Sequence, residues 1–428
     1  MQEAGMSKNK NYLQKDKKWY EEINRNQWKT VIAGGLGWAL DSMDVMLYAM
    51  VVVHIMSELQ LGTTQGGLLT TITLVASGIG GMLFGLIADK WGRKFSLTLS
   101  IVTYSLFTAA CGFSQTLTQL IVFRFILGLG MGGEWTAGAA LVTESWPAKH
   151  RGKAMGLMQS CWALGYAVAA LITAIILPKY GWRAVFFAGI LPALFTLWVR
   201  RHVEESNIWT TDREKRGRAN RNIMNNILEL FSPEYRKFTL LAFGLSLMHL
   251  FTYWGLFSWI PGYLSLPPEK GGAGLDVFKS ATWVIVMQAG GWFGYVLFGF
   301  IADSIGRKKA FTIFFTVATV LVPVYAVTRN EIALLLLGPF LVFFGAGFAS
   351  GFGPLIAELF PTHMRATAQG IIYNSARAVS AFAPLVIGSL AEVYGLGPAF
   401  LLIGACFFLG LILLLFLPET TGKELESV

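Results

Sequence analysis

Five Asp, Glu and Arg residues stand well inside apolar stretches of this chain, where a charge is costly and needs a reason. Asp41 and Asp44 are three residues apart within the run 30–53, so on a helix they share a face. Two carboxylates held so close cannot both ionise cheaply, which makes one of them a proton acceptor. Arg124 and Glu134 fall within the apolar run 117–143, and Arg377 within 366–390. A guanidinium facing a cavity suits a carboxylate, which it grips through two parallel hydrogen bonds. Asn374 lies one turn before Arg377 on the same face, and Tyr373 precedes it. Trp162 and Tyr166 are one turn apart, with Gln159 a turn further back, while His249 and Tyr253 share a face followed by Trp254; Gln288 stands alone in its stretch. Together these residues could line a pocket for a small anion. Each aromatic or amide taken singly serves equally well as packing, Arg377 could instead pair with Asp41 or Glu134, and His249 could be a hydrogen-bonded helix contact. Glu134 reads either as a second proton site or as a group that orders the glycine-rich run around it.

The elements that must position these residues are long apolar helices. Of the 428 residues 54% are hydrophobic and 14% charged, against roughly 25% charged in a soluble domain. Runs long enough to cross a bilayer, about 20 residues of helix, lie near 30–53, 66–88, 94–113, 117–143, 153–177, 183–200, 238–264, 280–302, 310–328, 331–356, 366–390 and 396–417. The fold class expected is an all-α membrane protein of twelve transmembrane helices in two pseudo-symmetric six-helix bundles. Its parts are a cytoplasmic N-terminal segment (1–28), a bundle (29–200), a polar cytoplasmic linker (201–237) with a short surface helix at 222–231, a second bundle (238–417) and a cytoplasmic tail (418–428). Most of the 34 Lys and Arg fall in segments that this layout puts inside, as positively charged loops require. The net charge of +9 is therefore a topology signal and not a nucleic-acid footprint. Cys111, Cys161 and Cys406 all lie in spans and outline neither a disulfide framework nor a zinc site. No nucleotide loop, metal cluster or nucleophile constellation supports an enzyme.

The two bundles are copies of one unit. Gly85-x-x-Ala88-Asp89-x-x-Gly92-Arg93-Lys94 returns 214 residues later as Gly299-x-x-Ala302-Asp303-x-x-Gly306-Arg307-Lys308. Glu144, Pro147 and Arg151 return as Glu358, Pro361 and Arg365, and Tyr180-Gly181 returns as Tyr394-Gly395. Asp89, Arg93, Glu144, Arg151, Asp303, Arg307, Glu358 and Arg365 thus form a repeated set of charges at the cytoplasmic mouth, where an acid beside a helix N-terminus can hold one closed arrangement by roughly 0.3–2 kcal/mol. The same residues read more blandly as interfacial anchors. By contrast the offset carries Asp41, Asp44, Arg124 and Glu134 onto Gly255, Ser258, Gly338 and Phe348, and carries Arg377 and His249 back onto Ala163 and Gly35. Every membrane-embedded charge is private to one half, which marks these residues as the site and the repeated ones as a gate.

The glycine-flanked Asp/Arg loops, the doubled six-helix layout and the ending Pro418-Glu419-Thr420-Thr421-Gly422-Lys423 resemble the major facilitator superfamily. Leu40-Asp41-Ser42-Met43-Asp44, Gly128-Leu129-Gly130-Met131-Gly132-Gly133-Glu134 and Gly181-Trp182-Arg183-Ala184-Val185-Phe186-Phe187 are similar to strings of sialate:proton symporters, and 253–261 resembles the aromatic acid and nicotinate carriers as much. Sialate carriers of this type resemble fourteen-helix proteins, where this chain has a polar linker. The resemblance implies a proton-coupled symporter for a small organic acid in a bacterial inner membrane, with both termini cytoplasmic. It implies no cofactor beyond the proton, no partner beyond substrate and lipid, and a monomer. It also implies that Arg124 pairs with a helix-one acid, so that protonating Asp44 releases Arg124 and shifts the transporter between its outward-open and inward-open states. The alternatives are a facilitative or proton-coupled sugar or metabolite carrier and a drug:proton antiporter; the span 156–177 lacks the proline of the antiporter motif.

Overall fold

The computed structural model describes residues 19–147, 151–191, 193–194, 228–361 and 365–420. Among them the regular structure is helical throughout. The first half contains α1 (Arg25–Glu58), α2 (Thr63–Trp91), α3 (Arg93–Cys111), α4 (Leu117–Ser145) and α5 (Arg151–Phe187). The second contains α6 (Arg236–Phe257), α7 (Ile260–Ser265), α8 (Val277–Ile305), α9 (Arg307–Val327), α10 (Glu331–Ala346), α11 (Phe352–Leu359), α12 (Arg365–Ser380), α13 (Ala383–Tyr394) and α14 (Leu396–Leu415).

Helix starts follow from local chemistry. Asn24 and Gln27 close a reciprocal capping box on α1, and Thr116, Asp276 and Asn330 accept from the third amide of α4, α8 and α10. Eleven segments among the described residues are long and apolar enough to cross a membrane. The fifth of them, Lys153–Ile190, holds two crossings. Gly181 breaks it with φ 74 and ψ 176, and at 1.5 Å per residue the undivided segment would be nearly twice as long as a bilayer core is thick. The expected sixth crossing begins there, and its last part, 195–200, lies outside the described residues.

The sequence repeat is a backbone repeat. Gly92 and Gly306 have φ 106 and 104, and Gly181 and Gly395 have φ 74 and 83, values open to glycine and strained for other residues. Packing repeats too, since α2 lies against α4 as α8 lies against α10. A Cβ at Gly80 would sit 2.0 Å from Leu129 O, and one at Gly294, 214 residues on, 2.8 Å from Phe343 O. Between the halves α5 packs on α8 and α2 on α13, the two pairings related by the same repeat, and α1 meets α7.

Three crossings of the second half are interrupted, the tenth by a 3-10 turn at Gly347–Gly351 between α10 and α11. The seventh breaks between α6 and α7, with Pro261 in the first turn of α7, and the eleventh breaks between α12 and α13, with Pro384 in the first turn of α13. These last two breaks touch, because Trp259 Nε1 donates to Pro384 O at 2.9 Å. All hydrogen bonds that join the halves among the described residues run from mid-membrane to the face away from the chain termini. Trp162 Nε1 donates to Tyr253 OH, Tyr166 OH donates to Phe257 O at 2.8 Å, and Thr63 Oγ1 donates to Gly388 O at 2.7 Å. Thr64 N donates to Glu392 Oε2 at 3.2 Å. Before α6, Leu230 is buried with Ile356, Phe360 and Ala368, so this end of the expected linker belongs to the second half's packing. Of the surface helix expected at 222–231, residues 228–230 are helical and 222–227 lie outside the described residues.

Candidate functional site

The site begins at a glycine. On α1 a Cβ at Gly37 would lie 2.4 Å from Glu134 Oε1, so the absence of a side chain there lets α4 deliver its carboxyl against α1. Asp41 is one turn further along α1, and Asp41 and Glu134 feel each other's charge. Both are fully buried, and none of their four carboxyl oxygens has a hydrogen-bond partner. Tyr104 of α3 reaches the same neighbourhood, within electrostatic range of Asp41, Glu134 and Asp44. Leaving buried carboxyl oxygens unpartnered is expensive, which is why such a group is an outlier worth a functional account.

Asp44 is held by α3. The Thr108 hydroxyl lies 3.1 Å from Asp44 Oδ2 and 2.9 Å from Tyr104 O. That hydroxyl has one proton and faces two oxygens. It donates to both, as a three-centre bond shared between the Asp44 carboxyl and the helix carbonyl.

Arg124 and Asp44 are not ion-paired in this structure, which departs from the pairing with a helix-one acid that the resemblance implied. Arg124 is fully buried, its Nε donates to Leu69 O at 3.0 Å, and its Cζ stands 3.8 Å over the Tyr48 ring. Its two terminal nitrogens have no hydrogen-bond partner. The physical reason is competition. Thr108 takes the Asp44 carboxyl, while a helix carbonyl and an aromatic face offer the guanidinium a planar seat.

From the second half α12 brings Arg377 and Tyr373, and α6 brings His249, Tyr253 and Trp254. Arg377 is half-buried and within electrostatic range of Asp41 on α1 and of Tyr373 on its own helix. Trp162 of α5 joins the halves: its ring lies 4.5 Å from Trp38, 6.4 Å from Tyr253 and 6.1 Å from Trp254, centroid to centroid. Tyr295 of α8 lies within electrostatic range of Tyr253. Carboxyls, guanidinium and aromatic rings therefore converge from both halves. Other expected residues are engaged with different neighbours. His249 packs between Phe348 and Phe352, both at 4.9 Å, with Nδ1 unpartnered. The Asn374 amide is exposed and turns back to Gly370 O at 2.9 Å. Gln288 is buried and Gln159 half-buried.

Of the eight expected gate residues, Arg307 and Glu358 are described with their side chains. They are ion-paired at 3.5 Å (Nε to Oε1), and Thr420 Oγ1 donates to Glu358 Oε2 at 2.5 Å. Glu419 accepts from Arg307 N at 2.9 Å and Lys308 N at 3.2 Å, capping α9 from the chain's tail. The side chains of Asp89, Arg93, Glu144, Arg151, Asp303 and Arg365 lie outside the described residues.

Sequence reasoning missed Thr108, Tyr104, Tyr48, Tyr295, Glu392 and Glu419. The α3 pair had a signal, for Ser96, Ser100, Tyr104 and Thr108 recur every four residues and all are fully buried, a polar stripe on one helix face. Among the described residues no group of three or more His, Cys, Asp or Glu side chains is arranged to hold a metal ion.

Comparison with known proteins accords with this architecture. Residues 35–268 and 273–427 match the Major Facilitator Superfamily. The sialic acid transporter NanX of Escherichia coli (strain K12) is 31% identical over 398 residues, which cover 92% of this chain and 95% of that one. The cis,cis-muconate transport protein of Acinetobacter baylyi is 30% identical over 413 residues, 95% of this chain and 98% of that one. In fold the chain resembles the xylose transporter XylE from E. coli in a partially occluded inward open conformation, with a TM-score of 0.73, 20% identity, and 94% of this chain and all of that one covered. The repeated backbone and a match that runs almost the length of the sequence lead to one conclusion: this chain belongs to the Major Facilitator Superfamily and is a membrane-spanning transporter, not an enzyme.

Proposed function

We propose that the protein is a proton-coupled symporter that imports a small organic anion by alternating access across a bacterial inner membrane. The observation that carries this reading is three fully buried carboxyls in one half, Asp41, Asp44 and Glu134, with Arg377 of the other half within electrostatic range of Asp41. A charge at the bilayer centre costs about 2.5–3.5 kcal/mol even on the mildest scale, so carboxyls retained there have a task that a neutral residue cannot perform. Holding and releasing protons is that task, and Arg377 supplies the fork for a substrate carboxylate. The relatives named for sialic acid and cis,cis-muconate carry acids, which supports an anionic substrate here.

Both termini lie in the cytoplasm and the protein works as a monomer. In that orientation the bonds of Thr63, Thr64, Tyr166 and Trp162 seal the outer side, so the conformation is inward-facing. Protonation of the carboxyls and capture of the anion at Arg377 bias the rocking of the two halves about this site, and the Arg307–Glu358 pair belongs to the cytoplasmic gate. The test is uptake of labelled N-acetylneuraminate, cis,cis-muconate, benzoate and nicotinate into proteoliposomes, with and without an inward proton gradient. Accumulation of an acid above equilibrium only under the gradient is the expected result. Entry of neutral solutes alone, unaffected by the gradient, overturns the reading.

A further inference from the structure

Six of the described glycines have no packing neighbour within 4 Å of where a Cβ would stand: Gly78, Gly156, Gly181, Gly299, Gly353 and Gly370. Gly181 is the break between the fifth and sixth crossings, and Gly353 lies in the first turn of α11. The other four stand one on each of α2, α5, α8 and α12. Elsewhere on three of these helices a glycine marks a close approach, for a Cβ would lie 2.0 Å from Leu129 O at Gly80, 1.8 Å from Ala39 O at Gly165 and 2.1 Å from Pro339 O at Gly290. A glycine inside a helix is destabilising relative to alanine, and nothing packed against these four requires one. Their helices are the ones through which the halves pair on the outer side, α5 with α8 and α2 with α13, which continues α12 beyond the break in the eleventh crossing. The outer contacts are themselves made at glycines, since a Cβ at Gly67 would lie 2.3 Å from Pro384 O and one at Gly388 2.4 Å from Thr63 O. Gly78 follows Gly67 by eleven residues, three helical turns, and so continues the same face of α2 toward the side of the chain termini. The 214-residue offset carries Gly67 onto Ala281, Gly388 back onto Ala174, and Gly156 onto Gly370. Gly299 lies eighteen residues, five turns, from Ala281, and Gly156 the same distance from Ala174. The open glycines therefore extend, on the inner side, the faces that meet on the outer side.

We propose that Gly156 and Gly370 are the points on which the inner side closes, Gly370 bringing α12 onto α2 beside Gly78 and Gly156 bringing α5 onto α8 beside Gly299. The inference rests on the alternating-access part of the reading above and adds the contacts of the opposite conformation. In the inward-facing conformation the four glycines stand apart, Gly156 half-buried and Gly370 exposed. When the halves rock, the outer contacts at Gly67 and Gly388 separate and bare backbone meets backbone at the inner ones. Gly370 lies two turns before Arg377 on α12, so closure there shuts the path from the inner side to that guanidinium. A side chain larger than a hydrogen at Gly156 or Gly370 has room in the present conformation and none in the closed one.

Gly156→Leu and Gly370→Leu test this, because leucine is the better helix former and Tm in detergent should stay the same or rise. Closure is trapped with a short bismaleimide between Lys153→Cys and Ser304→Cys, exposed positions near the inner ends of α5 and α8, in a background free of Cys111, Cys161 and Cys406. The expected result is a cross-link that forms in the protein with Gly156 intact and forms about ten-fold more slowly in Gly156→Leu, the penalty of forcing a side chain into a close helix contact. A monofunctional maleimide should label each cysteine at an unchanged rate. Uptake of labelled benzoate, nicotinate, cis,cis-muconate or N-acetylneuraminate into proteoliposomes, whichever is carried, should fall by a similar factor in both leucine variants. Cross-linking at an unchanged rate in Gly156→Leu, or unchanged uptake in the leucine variants, overturns the proposal. So does a lowered Tm, which would mean that the glycines serve the present conformation. A protein whose two cysteines both label but never cross-link does not rock, and alternating access falls together with the contacts. Solute entry indifferent to a proton gradient sinks the symporter reading and leaves the closure standing, and where none of the four acids is carried the cross-link decides alone.

Discussion

Replacing Glu392 by Gln should open the outer side of the transporter. Glu392 belongs to the second half, near the end of α13, yet its carboxylate sits on the first turn of α2 in the first half. Thr64 N donates to its Oε2 at 3.2 Å, the Thr64 hydroxyl bonds the same oxygen, and a Cβ on Gly62 would lie 3.0 Å from Oε1. Alongside, Thr63 Oγ1 donates to Gly388 O at 2.7 Å. A carboxylate at a helix N-terminus contributes about 0.3–1 kcal/mol when exposed, and hydrogen bonds to a charged acceptor exceed neutral ones by roughly another 1 kcal/mol before solvent screening. Glu392 is exposed, so the screened total that Gln forfeits is about 1 kcal/mol. Every bond here crosses between the halves, so all of them should break when this face opens. The ratio of outer-closed to outer-open molecules should therefore fall about five-fold. Nitroxides at Gln60→Cys and Val393→Cys, both exposed positions flanking this contact, in a background free of Cys111, Cys161 and Cys406, report that ratio as a distance distribution by double electron–electron resonance. An unchanged distribution, or a shift toward shorter distances, would refute the reasoning.

Arg377→Ala should weaken binding of a transported acid by about 100-fold, the loss of two charge-assisted hydrogen bonds worth about 3 kcal/mol together, and Arg377→Lys should recover only part because an ammonium lacks the planar fork; calorimetric titration of the purified protein measures both. A Cβ at Gly165 would fall 1.8 Å from Ala39 O, so Gly165→Ala must push α5 away from α1 at a cost of about 1–3 kcal/mol, seen as a lowered Tm in detergent. Glu419→Gln should fray the start of α9, since Glu419 holds the amides of Arg307 and Lys308; loss of about 1 kcal/mol there raises amide hydrogen exchange at those residues about five-fold while leaving that of α3 unchanged.

Much of the fold was legible because it repeats. Gly92 and Gly306, and Gly181 and Gly395, were visible as paired motif positions, and the structure shows that each pair adopts one backbone conformation that a side chain resists. The interruptions of the seventh and eleventh crossings were half legible, for Pro261 and Pro384 mark them, but an apolar run gives no sign of where a helix stops and restarts inside it. At the site, helical spacing put Asp41 and Asp44 on one face but could not say which neighbours they meet. Asp44 meets Thr108, 64 residues away, and Glu392 meets Thr64, 328 residues away. Such partners are chosen by how the helices pack around one another, which periodicity within a helix does not encode. Arg124 shows the limit most plainly. It is buried within a long apolar helix, and its neighbours are a ring and a carbonyl, groups that carry no charge to be matched in sequence.

The most direct test of proton-coupled anion import is the pH of the liposome lumen, followed with trapped pyranine when N-acetylneuraminate, cis,cis-muconate, benzoate or nicotinate is added outside with no gradient imposed. An imported acid should acidify the lumen of vesicles containing the protein, beyond the leak seen in protein-free vesicles, and Asp41→Asn should abolish the excess. Entry of the labelled acid with no excess acidification would contradict it.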